Sequence, residues 1–543
     1  MHTIHTGSDA GILHKRGWCH CRRRKKPCPV NAKRLCSVQV KYYLMKTLLL
    51  CLPLAFSLSA AEPTNAPATT NQPVTVRIPD ASHAPVRVTN SVVIAGERVS
   101  YAAETGMLPV LKADGTSRAS VFYVAYTRLD ETNTATRPVT FCFNGGPGSA
   151  SVWLHLGAFG PRRVRMNDNG SLPKPPFSLT DNEYSILNVS DLVFIDPVAT
   201  GFSRAAKEEK AEQFFGETGD LDSVGEFIRL WTTRHDRWLS PKYLGGESYG
   251  VFRAAGLAEY LRSRYGMYLN GLVLVSGLLD FSTLSAESGN DVPYLVALPA
   301  YTATAFFHQK LPPDLSTNLD QALAEARKFA GGEYATALQQ GAALPPETRR
   351  SITAQLARLT GLPPQVITDN NLRIDESVFR KQLLHAEGLI LGAYDARLTG
   401  RDGDPAAGGP AFDPSAAAVM GPFSAAMNAY VRSELKFEDD LPYEILTPMP
   451  VWDYRAHHSF PSTSAALASA MNQNPYLKIL VLGGRCDLVC PIDAMHYSLN
   501  HLPLAEAYRK NVTFSEFDSG HMMYINRPDL QKLQVEVGKF LRP

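Results

Sequence analysis

The stretch with the most chemistry in this sequence is a serine set between glycines, Gly246-Glu247-Ser248-Tyr249-Gly250. Apolar Tyr243 and Leu244 lead into it, and Val251 to Leu261 repeat their apolar positions at helical spacing, so a strand must turn sharply into a helix at the serine. Such a turn strains the backbone and lifts the hydroxyl clear of a sheet, while the flanking glycines let strand and helix approach closely. The chemistry it suits is nucleophilic attack on an acyl carbon, which also demands a base, a group that orients the base, and N–H donors for the oxyanion. A bare Gly-Ser turn fits the same pattern, so partners elsewhere in the chain decide.

Two later strands supply them. Lys478-Ile479-Leu480-Val481-Leu482 runs into Gly483-Gly484-Arg485-Cys486-Asp487, and Val512 to Phe517 runs into Asp518-Ser519-Gly520-His521. Serine, acid and histidine in that order, the last two in loops after strands, is the order of the α/β-hydrolase fold. The other downstream histidines are placed elsewhere. His308 and His385 fall in a helical insertion, His457 and His458 precede the acid's strand, and His496 and His501 lie on a helix after it. A third piece, Asn144-Gly145-Gly146-Pro147-Gly148-Ser149-Ala150-Ser151, follows the buried-strand run Val139 to Phe143. Its glycine turn can present a backbone N–H to an oxyanion, joined by the N–H of Tyr249. It lacks the Lys-Ser/Thr ending of a phosphate loop.

The elements that must hold these pieces alternate. Residues 86–94, 97–102 and 119–127 have the pattern of antiparallel strands, and buried-strand runs follow at 139–143, 191–196, 271–276, 478–482 and 512–517. Helical stretches at 219–236 and 251–265 lie between them, which predicts a mainly parallel central sheet covered on both faces. Residues 285–440 differ: they are alanine-rich and helical, as in Leu319 to Lys328, with a Gly/Pro/Ala-rich loop at 400–415. They are expected to form a helical insertion, a cap dividing the core into 86–284 and 441–543; a separate domain is the other reading.

A formal charge of +2 hides an asymmetry. Residues 1–44 hold ten Lys/Arg against one Asp and residues 45–61 hold Lys46, which leaves 43 basic and 51 acidic side chains for 62–543, out of totals of 54 and 52. The net of −8 in the body gives no footing for nucleic acid. Met45-Lys46, the apolar run from Thr47 to Leu58 and the small residues Ser59-Ala60-Ala61 have the form of a secretory signal peptide, too short for a membrane span, which implies a secreted or periplasmic protein. A signal normally begins a chain, so residues 1–44 are expected to be a non-structural upstream extension. Cys19, Cys21, Cys28 and Cys36 beside His20 fit no common zinc spacing, and the apolar run continues past Cys51, against a lipoprotein signal. Residues 62–85 form a polar linker. The body keeps Cys142, Cys486 and Cys490, no disulfide framework, although a Cys486–Cys490 bridge is open by count.

These motifs resemble the serine carboxypeptidase family of α/β-hydrolases. The likeness is carried by Asn144-Gly145-Gly146-Pro147-Gly148-Ser149, Asp196-Pro197-Val198-Ala199-Thr200-Gly201-Phe202-Ser203, Gly246-Glu247-Ser248-Tyr249-Gly250, Asp487 with Leu488-Val489-Cys490-Pro491, and Gly520-His521-Met522, across roughly residues 95–540. The resemblance implies Ser248 as nucleophile, His521 as base, Asp487 as its orienter, oxyanion-hole N–H groups from Gly146 and Tyr249, and Asn144 with Glu247 binding the substrate's C-terminal carboxylate. Two carboxyls meet only if one holds a proton, which favours acidic pH, whereas His521 must be neutral to act as base. Departures from the family pattern are Cys142 where many members have tryptophan, and Ser149 where a disulfide cysteine commonly stands, the latter compatible with a bacterial-type member. Cys490 matches a position where some members carry a free thiol. The implied activity is release of C-terminal residues from peptides through an acyl-enzyme, with no metal or cofactor. An acyltransferase or esterase on the same scaffold and a non-catalytic binding protein are the rival readings.

Overall fold

The computed structural model describes residues 84–542 apart from 132, 450, 455, 457 and 458. The expected extension, export signal, cysteine cluster and nearly all of the linker, together with His457 and His458, lie outside the described residues.

The chain enters through a hairpin. β1 (Val86–Ile94) and β2 (Glu97–Leu111) pair antiparallel across Ala95-Gly96, both at positive φ (49° and 87°), the two-residue geometry that matches strand twist. β2 runs well past the expected residue 102 because Gly106 and Pro109, which punctuate the sequence, stay within the ladder opposite Tyr123 and Ser120 of β3 (Ser117–Arg128). A Cβ on Gly106 would lie 2.8 Å from Pro85 Cβ, so the glycine is a place of close approach within the strand.

Six further strands complete the main path of the sheet: β4 (Val139–Phe143), β5 (Asp191–Ile195), β6 (Lys242–Glu247), β7 (Gly271–Val275), β8 (Lys478–Gly484) and β9 (Val512–Phe517). The order is β1-β2-β3-β5-β4-β6-β7-β8-β9, with a short strand at Arg204–Ala205 pairing β3 off this path. From β5 onward every pairing is parallel. β4, β5 and β7 are buried at every residue, so they read as continuous apolar runs, and alternate residues feed two cores. Val273 and Val275 pack on one face while Leu272 and Leu274 pack on the other. Truncating any one of these leucines to alanine removes ~2–5 kcal/mol of burial and packing.

Helix α1 (Glu217–Arg234) and α2 (Tyr249–Tyr265) cover the face that buries Leu272 and Leu274, each beginning two residues earlier than periodicity predicted. The α2 C-terminus stops at Gly266 in the left-handed region, φ 64°. Within residues 285–440 the helix expected at 319–328 forms over Leu319–Phe329, and α3 (Val292–Phe307), α4 (Glu376–Gln382) and α5 (Pro414–Ser433) are helical as well. The apolar faces of α3 and α4 join a third cluster with Cys486 and Leu488 of the acid-bearing loop, while Val419, Phe423 and Met427 of α5 pack into the cluster that holds Val273 and Val275. Among the described residues no helix is long and apolar enough to cross a membrane.

Candidate active site

The parallel register fixes where the loops meet. Glu247 of β6 pairs with Val275, Val275 with Leu482, and Leu482 with Ser515, while Phe143 pairs with Gly246. The segments that leave the C-terminal ends of β4, β6, β8 and β9 therefore start side by side, and they carry Asn144 to Gly146, Ser248, Asp487 and His521.

Ser248 sits at φ 61°, ψ −128°, a conformation that costs an L-residue ~1–3 kcal/mol and marks the strained turn expected from the sequence. Its N–H donates to the carbonyl of Val275 at 3.0 Å and its own carbonyl accepts from Val251 at 2.9 Å, which locks the turn between strand and helix. Glycine is obligatory around it. A Cβ on Gly246 would lie 2.2 Å from the Gly250 carbonyl oxygen, and one on Gly277 would lie 2.3 Å from Val251 Cγ2 and 2.6 Å from the Ser248 carbonyl oxygen. Ser248 is partly exposed between fully buried neighbours.

Asp487 is fully buried, and its Oδ1 accepts from the N–H groups of Val489 and Cys490, both at 2.9 Å. Its Oδ2 lies 2.7 Å from His521 Nδ1, which makes Nδ1 the proton-bearing nitrogen and leaves Nε2 free to accept. The backbone of the two loops is pressed together: a Cβ on Gly484 would lie 2.1 Å from the Gly520 carbonyl oxygen, and one on Gly520 2.1 Å from the Tyr394 carbonyl oxygen. Burial pulls the imidazole pKa down, but the charge and hydrogen bond of Asp487, with Glu247 adding, outweigh it and hold the pKa above its ordinary value. The tyrosine ring of Tyr394 stacks on His521 at 5.2 Å and 18°. Among the described residues His521 hydrogen-bonds through its side chain to Asp487 alone, so a bond from Ser248 Oγ to Nε2 is the one link of the relay absent from this geometry. Resting structures of such sites commonly hold that contact long or poorly aligned.

The Ser248 hydroxyl lies beside the thiol of Cys490, whose pKa burial pushes far up and the hydroxyl draws partly back. Cys142, Cys486 and Cys490 are all free and buried, so there is no Cys486–Cys490 bridge in this structure.

Glu247, next to the nucleophile, is 1% exposed. Burial raises its pKa to about 7 against the opposing effects of His521, Tyr524 and Asn144. Tyr524 donates to both carboxylate oxygens, at 2.8 and 3.0 Å. Tyr524 and Tyr394 are the contacts missed in the sequence. Tyr524 lies three residues beyond His521, a proximity that could have flagged it, whereas Tyr394 lies among residues 285–440 and carries no local signal. Asn144 accepts at Oδ1 from the Leu154 N–H at 3.1 Å.

The glycine loop touches the elbow directly: a Cβ on Gly145 would lie 2.3 Å from the backbone nitrogen of Tyr249. Among the described residues neither the Gly146 nor the Tyr249 N–H has an acceptor. Gly146, at φ 99°, has a backbone that favours glycine. Asp196 anchors the same loop, accepting from the N–H and hydroxyl of Ser151 at 2.8 and 2.7 Å. A cavity of about 480 Å³ lies beside the acid loop. Leu488 and Val489 of the acid loop line it together with Ala393, Tyr294, Ala297 and Arg380. Among the described residues no group of three His, Cys, Asp or Glu is arranged to hold a metal ion.

This arrangement can activate a hydroxyl, hold a histidine in one tautomer, receive an oxyanion and present a protonated carboxyl to an anion. Parts of the sequence are similar to known proteins. The serine carboxypeptidase family model matches residues 95–305. Serine carboxypeptidase-like 13 of Arabidopsis thaliana is 29% identical over 197 residues, 35% of this chain and 42% of that protein; serine carboxypeptidase-like 16 of the same plant is 30% identical over 187 residues, 33% and 40%. The matched stretch thus spans about two fifths of these relatives. Among solved structures, Kex1Δp, a prohormone-processing carboxypeptidase from Saccharomyces cerevisiae, is 15% identical, with TM-score 0.48 over 81% of this chain and 91% of its own. The sequence matches liken part of this chain to the serine carboxypeptidase family, and the sheet order is that of an α/β-hydrolase. The matched relatives are plant proteins, which gives no support to a bacterial type of member.

Proposed function

We propose that this chain is a serine carboxypeptidase that releases C-terminal amino acids from peptides through an acyl-enzyme. Ser248 Oγ attacks the last peptide carbonyl as His521 Nε2 takes its proton, and the N–H groups of Gly146 and Tyr249 receive the oxyanion. Collapse breaks the C–N bond, the imidazolium gives its proton to the departing amine, and water repeats the sequence to free the shortened peptide and restore the serine. Asp487 holds the tautomer and stabilises the imidazolium. The insertion, residues 285–440, forms one wall of the site, and the cavity beyond the acid loop is the place for a substrate side chain. The expected export signal would put the enzyme outside the cytoplasm, secreted or periplasmic.

The observation that carries this reading is the carboxyl of Glu247 beside the nucleophile, buried and with its pKa raised to about 7. A plain esterase has no use for a protonated acid there, whereas a peptide ending in a free carboxylate needs one as hydrogen-bond donor, with Asn144 as its partner. Glu247 binds best below about pH 7, while His521 works as a base only above its own raised pKa. Activity on peptides should therefore follow a narrow bell, with its alkaline limb set by Glu247.

Product analysis tests the proposal. Peptides with free and with amidated C-termini are incubated with the enzyme and with Ser248→Ala between pH 4 and 8. Free amino acids from the unblocked peptides, lost by several orders of magnitude in the variant, support it. Turnover of esters alone favours the acyltransferase or esterase reading, and undiminished release by Ser248→Ala rejects the mechanism.

A further inference from the structure

An oxyanion hole assembled from two separate segments works only if its donors keep one spacing, since a shift near 1 Å can cost ~10²-fold in rate. Gly146 follows β4 and Tyr249 opens α2, and no hydrogen bond between their own main chains ties them together. Arg253 stands one helical turn beyond Tyr249, on the same face of α2. It is wholly buried. Its Nε donates to Asp220 Oδ2 of α1 at 2.7 Å and its Nη1 to the carbonyl oxygen of Asn144 at 2.5 Å. The guanidinium lies over the rings of both Tyr249 and Phe143, 5.3 Å from each centroid. One planar cation thus touches the residue before the glycine pair, the ring of the elbow tyrosine and the last residue of β4.

As a device for stability this is poor. Taking a guanidinium and a carboxylate out of water costs about as much as their attraction returns, and apolar side chains of the same volume would pack more cheaply. Burial indeed raises the Asp220 pKa despite Arg253 beside it, and the Nη2 of Arg253 has no hydrogen-bond partner among the described residues. A lysine could match the charge but not the fork that reaches two acceptors while lying flat on two rings.

We infer that Arg253 is the positioning residue of the oxyanion hole: it clamps the Asn144 carbonyl against the Tyr249 ring so that the N–H groups of Gly146 and Tyr249 hold a fixed separation, with Asp220 orienting the guanidinium. The inference rests on the acyl-enzyme reading above, but it makes a separate claim, that the fork geometry of residue 253 sets the rate of attack at Ser248.

The test uses the full chain and a fluorophosphonate probe, whose reaction with Ser248 depends on the oxyanion donors and not on the carboxylate-binding pair. Second-order labelling rates are measured for the wild type, Arg253→Lys and Asp220→Asn, with kcat and KM for an ester lacking a free carboxylate. Arg253→Lys should label ~10- to 100-fold more slowly, with kcat falling in step and KM within about threefold; Asp220→Asn should lie between it and the wild type. Asp220→Asn keeps the hydrogen-bonding group and carries the test if Arg253→Lys does not fold. Labelling of either folded variant within twofold of the wild type overturns the positioning role, as does a loss confined to KM. Failure of the wild type to label at all refutes Ser248 as nucleophile and removes the positioning role with it.

Discussion

Replacing Glu247 by glutamine separates the electrostatics of the site from its shape. The carboxyl is 1% exposed, and burial raises its pKa from 4.5 to about 7. That interval corresponds to roughly 3 kcal/mol between the protonated and ionised forms. Because the folded pKa lies above the unfolded one, the folded chain holds this proton more tightly. The stability it confers is complete below about pH 4.5 and is lost as the pH rises through about 7. Glutamine keeps the volume, the acceptor for Tyr524 and a donor for a substrate carboxylate, but it cannot ionise. Urea unfolding of both proteins at pH 5 and pH 8 should show the wild type losing roughly 2.5 kcal/mol more than Glu247→Gln between those two pH values, since part of the full difference is already gone at pH 5. In parallel, KM for peptides with a free C-terminus should rise above pH 7 in the wild type and stay flat in the variant. Identical pH dependence of stability and of KM in the two proteins would refute the assignment of Glu247 as a buried, titrating acid.

Tyr524→Phe removes the one O–H donor that reaches both oxygens of Glu247, at 2.8 and 3.0 Å, and that favours its ionised form. A hydrogen bond to a charged group is worth ~1.5–3 kcal/mol, so the alkaline limb of peptide kcat/KM should move up by about one pH unit or more; an unmoved limb counts against the contact. Gly145→Ala puts a Cβ 2.3 Å from the Tyr249 nitrogen. Displacing the glycine loop from the elbow should lower kcat ~10²-fold with the fold intact by circular dichroism, and a folded variant with kcat within twofold of the wild type would contradict the placement of the hole.

The sequence made some of this plain and hid the rest for definite reasons. The fold was legible because β4, β5 and β7 are buried on both faces and so read as unbroken apolar runs between helices. Ser248, Asp487 and His521 could be picked out because each follows a strand whose register brings its end to the same edge. The strand pattern at 97–102 falls short of β2, whose ladder continues through Gly106 and Pro109 to Leu111. Tyr394 was invisible because it reaches His521 from more than a hundred residues away in sequence. The clamp formed by Arg253 was hidden too, since an arginine on a helix surface and one buried between Asp220 and Asn144 look alike in one dimension.

The most direct measurement traps the intermediate. Enzyme mixed with a peptide carrying a free C-terminus is quenched in acid within milliseconds to seconds, and the intact mass and the digest are read by mass spectrometry. The account predicts an adduct equal to the peptide acyl group on Ser248, absent in Ser248→Ala, and formed as the C-terminal amino acid is released. Release of that amino acid without any acyl adduct under burst conditions, or an adduct on another residue, would contradict it.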